Sequence, residues 1–111
     1  MVRYELAVQA EIDALASGER DRLAEIGDLA KLLKVRPEYL SRVIKRTSGR
    51  TPCDIYEERL MVLARELLLD KSVSAAEVAR RLTMDPSNFG KFFKHFQGCT
   101  PGEFRIAKGV R

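Results

Sequence analysis

The tetrapeptide Gly-x-Thr-Pro occurs twice in this sequence, as "GRTP" at residues 49–52 and as "GCTP" at residues 98–101. A glycine that follows a helix commonly adopts the left-handed conformation that ends it. A threonine caps a following helix, whose first position accepts proline. Each copy therefore predicts the end of one helix and the beginning of the next. The spacing of 49 residues indicates that one helical unit is used twice.

An ungapped alignment at that spacing supports the repeat. The stretches "LAKLLKVRPEYLSRVIKRTSGRTP" (29–52) and "VARRLTMDPSNFGKFFKHFQGCTP" (78–101) are identical at seven of their 24 positions. Each stretch predicts a short helix, a tight turn and a second helix, with Ala30 or Ala79 where the first helix must approach its neighbour. Two short helices joined by a turn of three or four residues are typical of a helix-turn-helix.

Local signals predict where the helices of the second copy begin and which side of them is buried. Ser74 to Glu77 has the spacing of a capping box, and Asp85 followed by Pro86 predicts the cap and first position of the next helix. In the first copy the corresponding cap is Arg36, a weak one. Phenylalanines recur in the second copy at i, i+3, i+4 and i+7, and we interpret all four as core residues. They are Phe89, Phe92, Phe93 and Phe96.

The predicted fold is all-α, with about seven helices and two helix-turn-helix subdomains joined by a long linker helix. We expect residues 1–50 to form a first helix and the first helix-turn-helix, residues 51–70 the linker, and residues 71–111 the second helix-turn-helix with a C-terminal helix. The linker stretch has no helix breaker between Pro52 and Leu69. At 1.5 Å per residue it spans roughly 27 Å, which suits two DNA-contacting units about one DNA turn (~34 Å) apart.

Charge is distributed unevenly along the chain. Residues 1–28 carry three basic and seven acidic side chains, a net charge of −4, whereas residues 29–111 carry seventeen basic and nine acidic ones, a net charge of +8. An acidic segment attached to a basic body predicts a polyanionic partner for the body. The alternative is a solvated surface that happens to be basic.

These features resemble the DNA-binding domain of the AraC/XylS family of bacterial transcription regulators. The resemblance covers Leu29 to Arg105, and more loosely extends back to Tyr4. Its motifs are the two repeat copies, Ala64 with the Leu67-Leu68 pair, and the ending "TPGEFR". It implies seven helices and two recognition helices that enter successive major-groove segments of double-stranded DNA. It also implies RNA polymerase and an N-terminal effector-binding domain as further candidate partners.

Family members often have a glycine in the turn between the two helices of each unit. At those positions this chain has Lys34 and Thr83. A glycine does occur inside the second helix of the second unit, at Gly90. There it lowers the stability of the helix by roughly 1 kcal/mol relative to alanine. Two interpretations of Gly90 stay open: a close approach of the backbone to DNA, or a tolerated replacement.

The predicted DNA contacts lie on the two recognition helices or immediately before them, and the central ones lie opposite the apolar residues. Arg42 can donate a bidentate pair of hydrogen bonds to guanine, and Glu38 can accept from cytosine. For Arg42 the alternatives are a phosphate contact and simple exposure to solvent. For Glu38 an equally weighted alternative is simple stabilisation of the helix dipole. The predicted base contacts are Glu38, Ser41, Arg42, Ser87, Asn88 and Lys91. The predicted phosphate contacts, which position the protein without specifying sequence, are Arg36, Lys45, Arg46, Lys94 and His95.

Composition argues against several other classes of protein. We expect no enzyme, cofactor or metal site, because two cysteines, one unpartnered histidine and no evident nucleophile–base pair offer no set of catalytic or ligating groups. No apolar run approaches the ~20 residues that span a bilayer, so we expect a cytoplasmic protein without a membrane partner. The alternative function is a basic helical module that binds an acidic protein and does not recognise DNA sequence.

Overall fold

The computed structural model describes residues 2–109, and all regular secondary structure in that range is α-helical. Seven helices follow one another, as the sequence predicts: α1 (Val2–Ala16), α2 (Ile26–Leu32), α3 (Pro37–Ser48), α4 (Pro52–Leu68), α5 (Ala75–Arg81), α6 (Pro86–Gln97) and α7 (Pro101–Ala107). Within residues 2–109, none of the helices combines the length and the apolar character that a membrane span requires.

The chain forms two compact units, Met1–Leu60 and Met61–Arg111, so that the division falls inside α4. The first unit contains α1, α2, α3 and the first half of α4. The second contains the remaining half of α4 with α5, α6 and α7. The finer division into residues 1–50, 51–70 and 71–111 stays a prediction from the sequence.

The turns that join α2 to α3 and α5 to α6 have the same backbone conformation. Lys34 has a φ of 59° and Thr83 a φ of 60°, both in the left-handed region. The amide after each of them donates to the carbonyl of an alanine five residues earlier, over 3.0 Å to Ala30 and 2.8 Å to Ala79. This is the hydrogen bond of a Schellman turn. Both alanines are fully buried, so they close the turn through the backbone and also allow the helices to approach closely.

Both Gly-x-Thr-Pro copies end one helix and begin the next, as predicted. Gly49 and Gly98 follow α3 and α6 with φ values of 74° and 88°. Before α7, the amide of Thr100 donates to Glu103 over 2.9 Å and the amide of Glu103 donates to the threonine hydroxyl over 3.1 Å. The same reciprocal pair precedes α4, between Thr51 and residue 54, at 3.1 Å in both directions.

Of the two hydrogen bonds of the capping box predicted at the start of α5, only the one to the Ser74 hydroxyl forms. The amide of Glu77 donates to the Ser74 hydroxyl over 3.0 Å. The Glu77 carboxylate instead pairs with Arg80, one turn further along the helix, at 3.5 Å. The ion pair takes the carboxylate away from the cap, which is why the reverse bond predicted from the spacing is missing here.

The cores of the two units use equivalent positions of the repeat with different side chains. The first unit buries aliphatic residues where the second buries aromatic ones, and the pairs are Leu40/Phe89, Ile44/Phe93 and Ile55/Phe104. The Phe93 ring packs 5.8 Å from that of Phe89 and 5.4 Å from that of Phe104, measured between ring centroids. The aromatic core of the second unit therefore continues from α6 into α7.

The prediction that all four phenylalanines of α6 belong to the core is wrong for Phe96. Phe96 is 43% exposed, and Phe92 is half-buried. Phe96 lies in the last turn of α6, where its ring packs against the rings of Phe92 and exposed His95, each at 5.0 Å. The helical spacing places Phe96 on the apolar side, but at the end of the helix burial is incomplete.

In the first unit, tyrosines hold the beginning of α4. The buried Tyr4 hydroxyl donates to the Pro52 carbonyl over 2.7 Å, and burial raises the pKa of that phenol. The Tyr56 hydroxyl accepts from the amide of Ala24 over 3.1 Å, which fixes the loop that leads into α2. Two buried hydroxyl groups thus connect α1, the loop and α4.

In the second unit, Arg105 has the position that Tyr56 has in the first, 49 residues earlier. Its guanidinium donates to the carbonyls of Leu68 over 2.8 Å and Asp70 over 3.1 Å, and also to that of Val73. These carbonyls lie at the end of α4 and in the loop that leads into α5. In both units, therefore, the helix that follows the helix-turn-helix is tied to the loop that precedes it.

Replacing Thr83 with glycine should stabilise the protein by about 0.5–1 kcal/mol. The left-handed conformation costs a non-glycine residue about 1–2 kcal/mol, and the greater freedom of glycine in the unfolded chain offsets part of the gain. Urea unfolding measures the difference. Thr47→Gly, in the regular helix α3, is the matched control and should destabilise. A lower urea midpoint for Thr83→Gly would contradict strain in this turn.

Candidate nucleic-acid interface

Helix α3 separates its core residues from its predicted DNA contacts. Leu40 and Ile44 are buried on one side. The opposite side carries the predicted contacts, which are exposed except for half-buried Ser41. In helical order they are Glu38, Ser41, Arg42 and Lys45. Their i, i+3, i+4, i+7 spacing brings them together on a single surface, which we call the α3 outer face.

The cations of α3 are not neutralised by neighbouring acids. Across residues 2–109, the ion pairs of the protein use other arginines, and neither Arg42 nor Arg46 has a carboxylate within 4.0 Å. The Lys45 ammonium donates to the Gly49 carbonyl over 3.0 Å at the end of the helix. Because an ammonium has three protons, Lys45 can still bind a phosphate oxygen. With Glu38 beside Arg42 and Lys45, the α3 outer face has a net charge of +1.

Helix α6 repeats this arrangement around a glycine. Phe89 and Phe93 are buried, and Gly90 is half-buried near the middle of the opposite side. The predicted contacts of this helix are all exposed: Ser87, Asn88, Lys91, Lys94 and His95. Ser87, Gly90, Lys91 and Lys94 form the α6 outer face.

The two recognition helices begin with opposite charges. Arg36 precedes α3 and makes no side-chain cap. Asp85 precedes α6 and accepts from the Ser87 hydroxyl over 2.6 Å and from the amides of Ser87 and Asn88 over 3.0 and 3.4 Å. These bonds, that from the Ser87 hydroxyl first, lower the pKa of the Asp85 carboxyl.

This difference affects how each helix start can meet DNA. The Asp85 carboxylate satisfies the first amides of α6 and adds a negative charge there, so a phosphate is disfavoured at that end. The Ser87 hydroxyl already donates its proton to Asp85, so its oxygen is left to accept from a base. Arg36 instead leaves the beginning of α3 with a positive charge and without a side-chain cap.

Tyr39 is exposed on α3 but is not among the predicted contacts. Its side chain is 55% accessible. It occupies the repeat position of Asn88, which is among the predicted contacts. The 49-residue spacing could therefore have identified Tyr39 as a candidate contact. Together with Arg3 of α1, Tyr39 lies at a small cavity of about 130 Å³ whose other lining residues are mainly apolar. Tyrosine and arginine both donate hydrogen bonds to DNA phosphates.

Known proteins match the same segment. The model of a helix-turn-helix domain family matches residues 29–107, which include α3 and α6 completely. The helix-turn-helix-type transcriptional regulator YisR of Bacillus subtilis is 32% identical over 81 residues, covering 72% of this chain and 28% of YisR. The C-terminal domain of AraT, a response regulator from Geobacillus stearothermophilus, is 28% identical, with a TM-score of 0.78 over 96% of this chain and 86% of that one.

The chain belongs to the AraC-type helix-turn-helix family. A further structure with this fold is the DNA-binding domain of the transcription factor AdpA, solved in complex with a target DNA. It has a TM-score of 0.70 at 23% identity and covers 88% of this chain and 89% of that one. The chain spans less than a third of the length of YisR.

As a family member, this chain keeps the left-handed turn residue without the glycine that often occupies it. Lys34 and Thr83 adopt the required φ values themselves. Both turns therefore adopt the left-handed conformation without a glycine. No group of three or more potential metal-binding side chains occurs within the described range, residues 2–109.

The cap of α6 should make stability depend on pH. The pKa of Asp85 is lower in the folded protein than in the unfolded chain. Its contribution is therefore complete above the ordinary aspartate pKa of about 3.9 and is lost as the pH falls through the folded value. Asp85→Asn keeps a good cap without this titration. Between about pH 6 and pH 3, the urea midpoint of the wild type should fall relative to that of Asp85→Asn. Parallel changes in the two midpoints would contradict this role of the carboxylate.

Proposed function

We propose that this chain binds double-stranded DNA sequence-specifically, as the DNA-binding part of a bacterial transcription regulator, with α3 and α6 entering successive major-groove segments. The observation that carries the proposal is the pair of outer faces: each recognition helix is held by a buried apolar side and presents polar and basic side chains to solvent. Membership of the AraC-type family and the fold shared with DNA-bound AdpA support it.

In the first unit, we assign base contacts to Glu38, Ser41 and Arg42. Arg42 has no acid partner among residues 2–109, so its guanidinium is available to donate two hydrogen bonds to O6 and N7 of a guanine. Glu38, on the same face, accepts from a cytosine amino group. Phosphates bind the surrounding cations, which are Arg36, Lys45 and Arg46.

In the second unit, Asn88 and Lys91 have the side chains suited to base contact. Asparagine pairs with adenine and lysine with guanine in the major groove. Ser87 accepts a hydrogen bond through its oxygen, because its proton is used by Asp85. Lys94 and His95, in the last turn of α6, bind phosphates and hold the helix in the groove.

The regulator as a whole includes more than this chain if it resembles its longer relatives. We propose that a further domain binds an effector and that the protein acts in the bacterial cytoplasm, where it contacts DNA and RNA polymerase. The length of YisR, of which this chain covers 28%, supports an additional domain.

Selection from random-sequence duplexes over a series of salt concentrations tests the proposed function. We expect affinity to fall steeply as the salt concentration rises, because the lysine and arginine side chains release counterions from the DNA when they bind its phosphates. We also expect two enriched sequence blocks about one turn (~34 Å) apart. A steep salt dependence without an enriched sequence would indicate non-specific DNA binding. A weak salt dependence would indicate instead the basic module that binds an acidic protein.

Arg42→Ala should weaken binding to the selected site by about 1–3 kcal/mol and relax the preference at one base pair. Arg46→Ala is the matched control: loss of a phosphate contact weakens binding to all duplexes alike and reduces the salt slope by about 1. Competition binding against single-base variants of the site measures both effects. Equal weakening by Arg42→Ala on every sequence would make Arg42 a phosphate contact.

A further inference from the structure

Gly90 lies in the interior of α6, a helix of 12 residues. Glycine is a poor helix former there, since it loses more backbone freedom on folding than alanine does. Its φ is not in the left-handed region, so no turn requires it. A Cβ atom at this position would meet nothing within 4 Å beyond the helix's own backbone. Within residues 2–109, packing therefore gives no reason for a glycine.

The location of Gly90 indicates where the reason lies. It is on the α6 outer face, with Ser87 and Lys94 one turn away on either side and Lys91 adjacent. The equivalent position in α3 is Ser41, which has a side chain. The α6 outer face thus has a gap, one side chain deep, near the middle of a surface rich in lysine. A gap that the folded chain does not use is available to a ligand that binds this face.

We propose that Gly90 determines sequence specificity by receiving the C5 methyl group of a thymine in the major groove. This inference rests on the proposed function. The amide and carbonyl of Gly90 are engaged in the hydrogen bonds of the helix interior, so the residue can recognise a base only by shape. Most groups that the bases present in the major groove are hydrogen-bond donors or acceptors, and the C5 methyl of thymine is the apolar group that projects into the groove.

The neighbouring lysines make a close approach possible. Lys91 and Lys94 are exposed, and neither has a carboxylate within 4.0 Å among residues 2–109. Both lie on the C-terminal side of the gap. Contacts from these ammonium groups to the DNA hold the helix near the base edge. With a hydrogen atom at position 90 in place of a side chain, the methyl group reaches the helix backbone itself.

Gly90→Ala separates stability from binding. The added methyl group meets no atom of the folded protein and improves the helix, so thermal unfolding should show a Tm higher by about 3–6 °C. Affinity for the selected duplex should nevertheless fall about ten-fold, because the alanine Cβ occupies the space of the thymine methyl. Ala10→Gly, at an exposed position of α1, is the control: it should lower Tm without changing affinity.

Replacement of each thymine of the selected duplex by deoxyuridine, which lacks only the methyl group, tests the base directly. Wild-type affinity should fall about four-fold at one thymine in the block bound by the second unit, the effect of exposing one buried methyl group. For Gly90→Ala, replacement of that thymine should instead raise affinity, because the clash between the alanine Cβ and the thymine methyl is removed. The same scan with Ser41→Ala, whose second unit is unchanged, should keep the wild-type sensitivity at that thymine.

Three results would overturn the inference: wild-type binding that no thymine replacement weakens, full affinity in Gly90→Ala, or equal loss by Gly90→Ala on all sequences. The last would mean that the backbone approaches a phosphate. Each of these leaves the proposed function standing, since the wild type would still select a sequence. A wild-type protein that enriches no sequence would overturn both proposals.

Discussion

Each half of this protein depends on one residue held in the left-handed conformation between two short helices. The conformation lets the next amide reach the carbonyl of a buried alanine, Ala30 or Ala79, and so sets the direction in which the recognition helix leaves. Lys34 and Thr83 accept this conformation at a cost of about 1–2 kcal/mol. Burial of the apolar side of α3 or α6 behind the turn offsets that cost, and without the turn those helices would have no defined direction.

Around this turn the backbone repeats while the side chains differ. Tyr56 and Arg105 have equivalent positions, and one accepts from a loop amide while the other donates to loop carbonyls. Both residues fix the loop that precedes their helix-turn-helix. The two copies of the repeat therefore use the same position to hold the loop, but with different side chains and opposite hydrogen-bond directions. The outer faces differ in the same way, with Arg42 in α3 where α6 has Lys91. A chain built like this is suited to two different sequence blocks, because neither unit must match the other.

Within the part of the chain that the structure describes, two arginines of the first 28 residues form ion pairs, whereas Arg42 of α3 does not. In the acidic segment, Arg20 pairs with Glu11 at 3.1 Å and Arg22 with Asp28 at 3.2 Å, so that these cations are already matched within the first unit. Arg42 has no such partner among residues 2–109. Arg42 therefore keeps its positive charge available on the α3 outer face, as a contact to a polyanion requires.

Much of the architecture could be predicted from the sequence because its signals are local. Gly49 and Gly98 end helices, and threonine and proline begin the next, through backbone conformations that involve only a few neighbouring residues. The repeat added the information that two such segments share one arrangement. The candidate DNA contacts followed from helical spacing, which places the residues opposite a buried side without knowledge of the partner helix.

The sequence by itself determined the helical repeat, the glycine ends of α3 and α6, the threonine–proline starts of α4 and α7, and the sides of α3 and α6 that face away from the core. The tertiary structure decided features that depend on atoms distant in the chain. It divided α4 between two cores after Leu60, left Phe96 exposed at a helix end, and drew Glu77 to Arg80. Spacing gives a side chain its direction, but burial and pairing require a neighbour at the right distance, and only the folded chain supplies that neighbour.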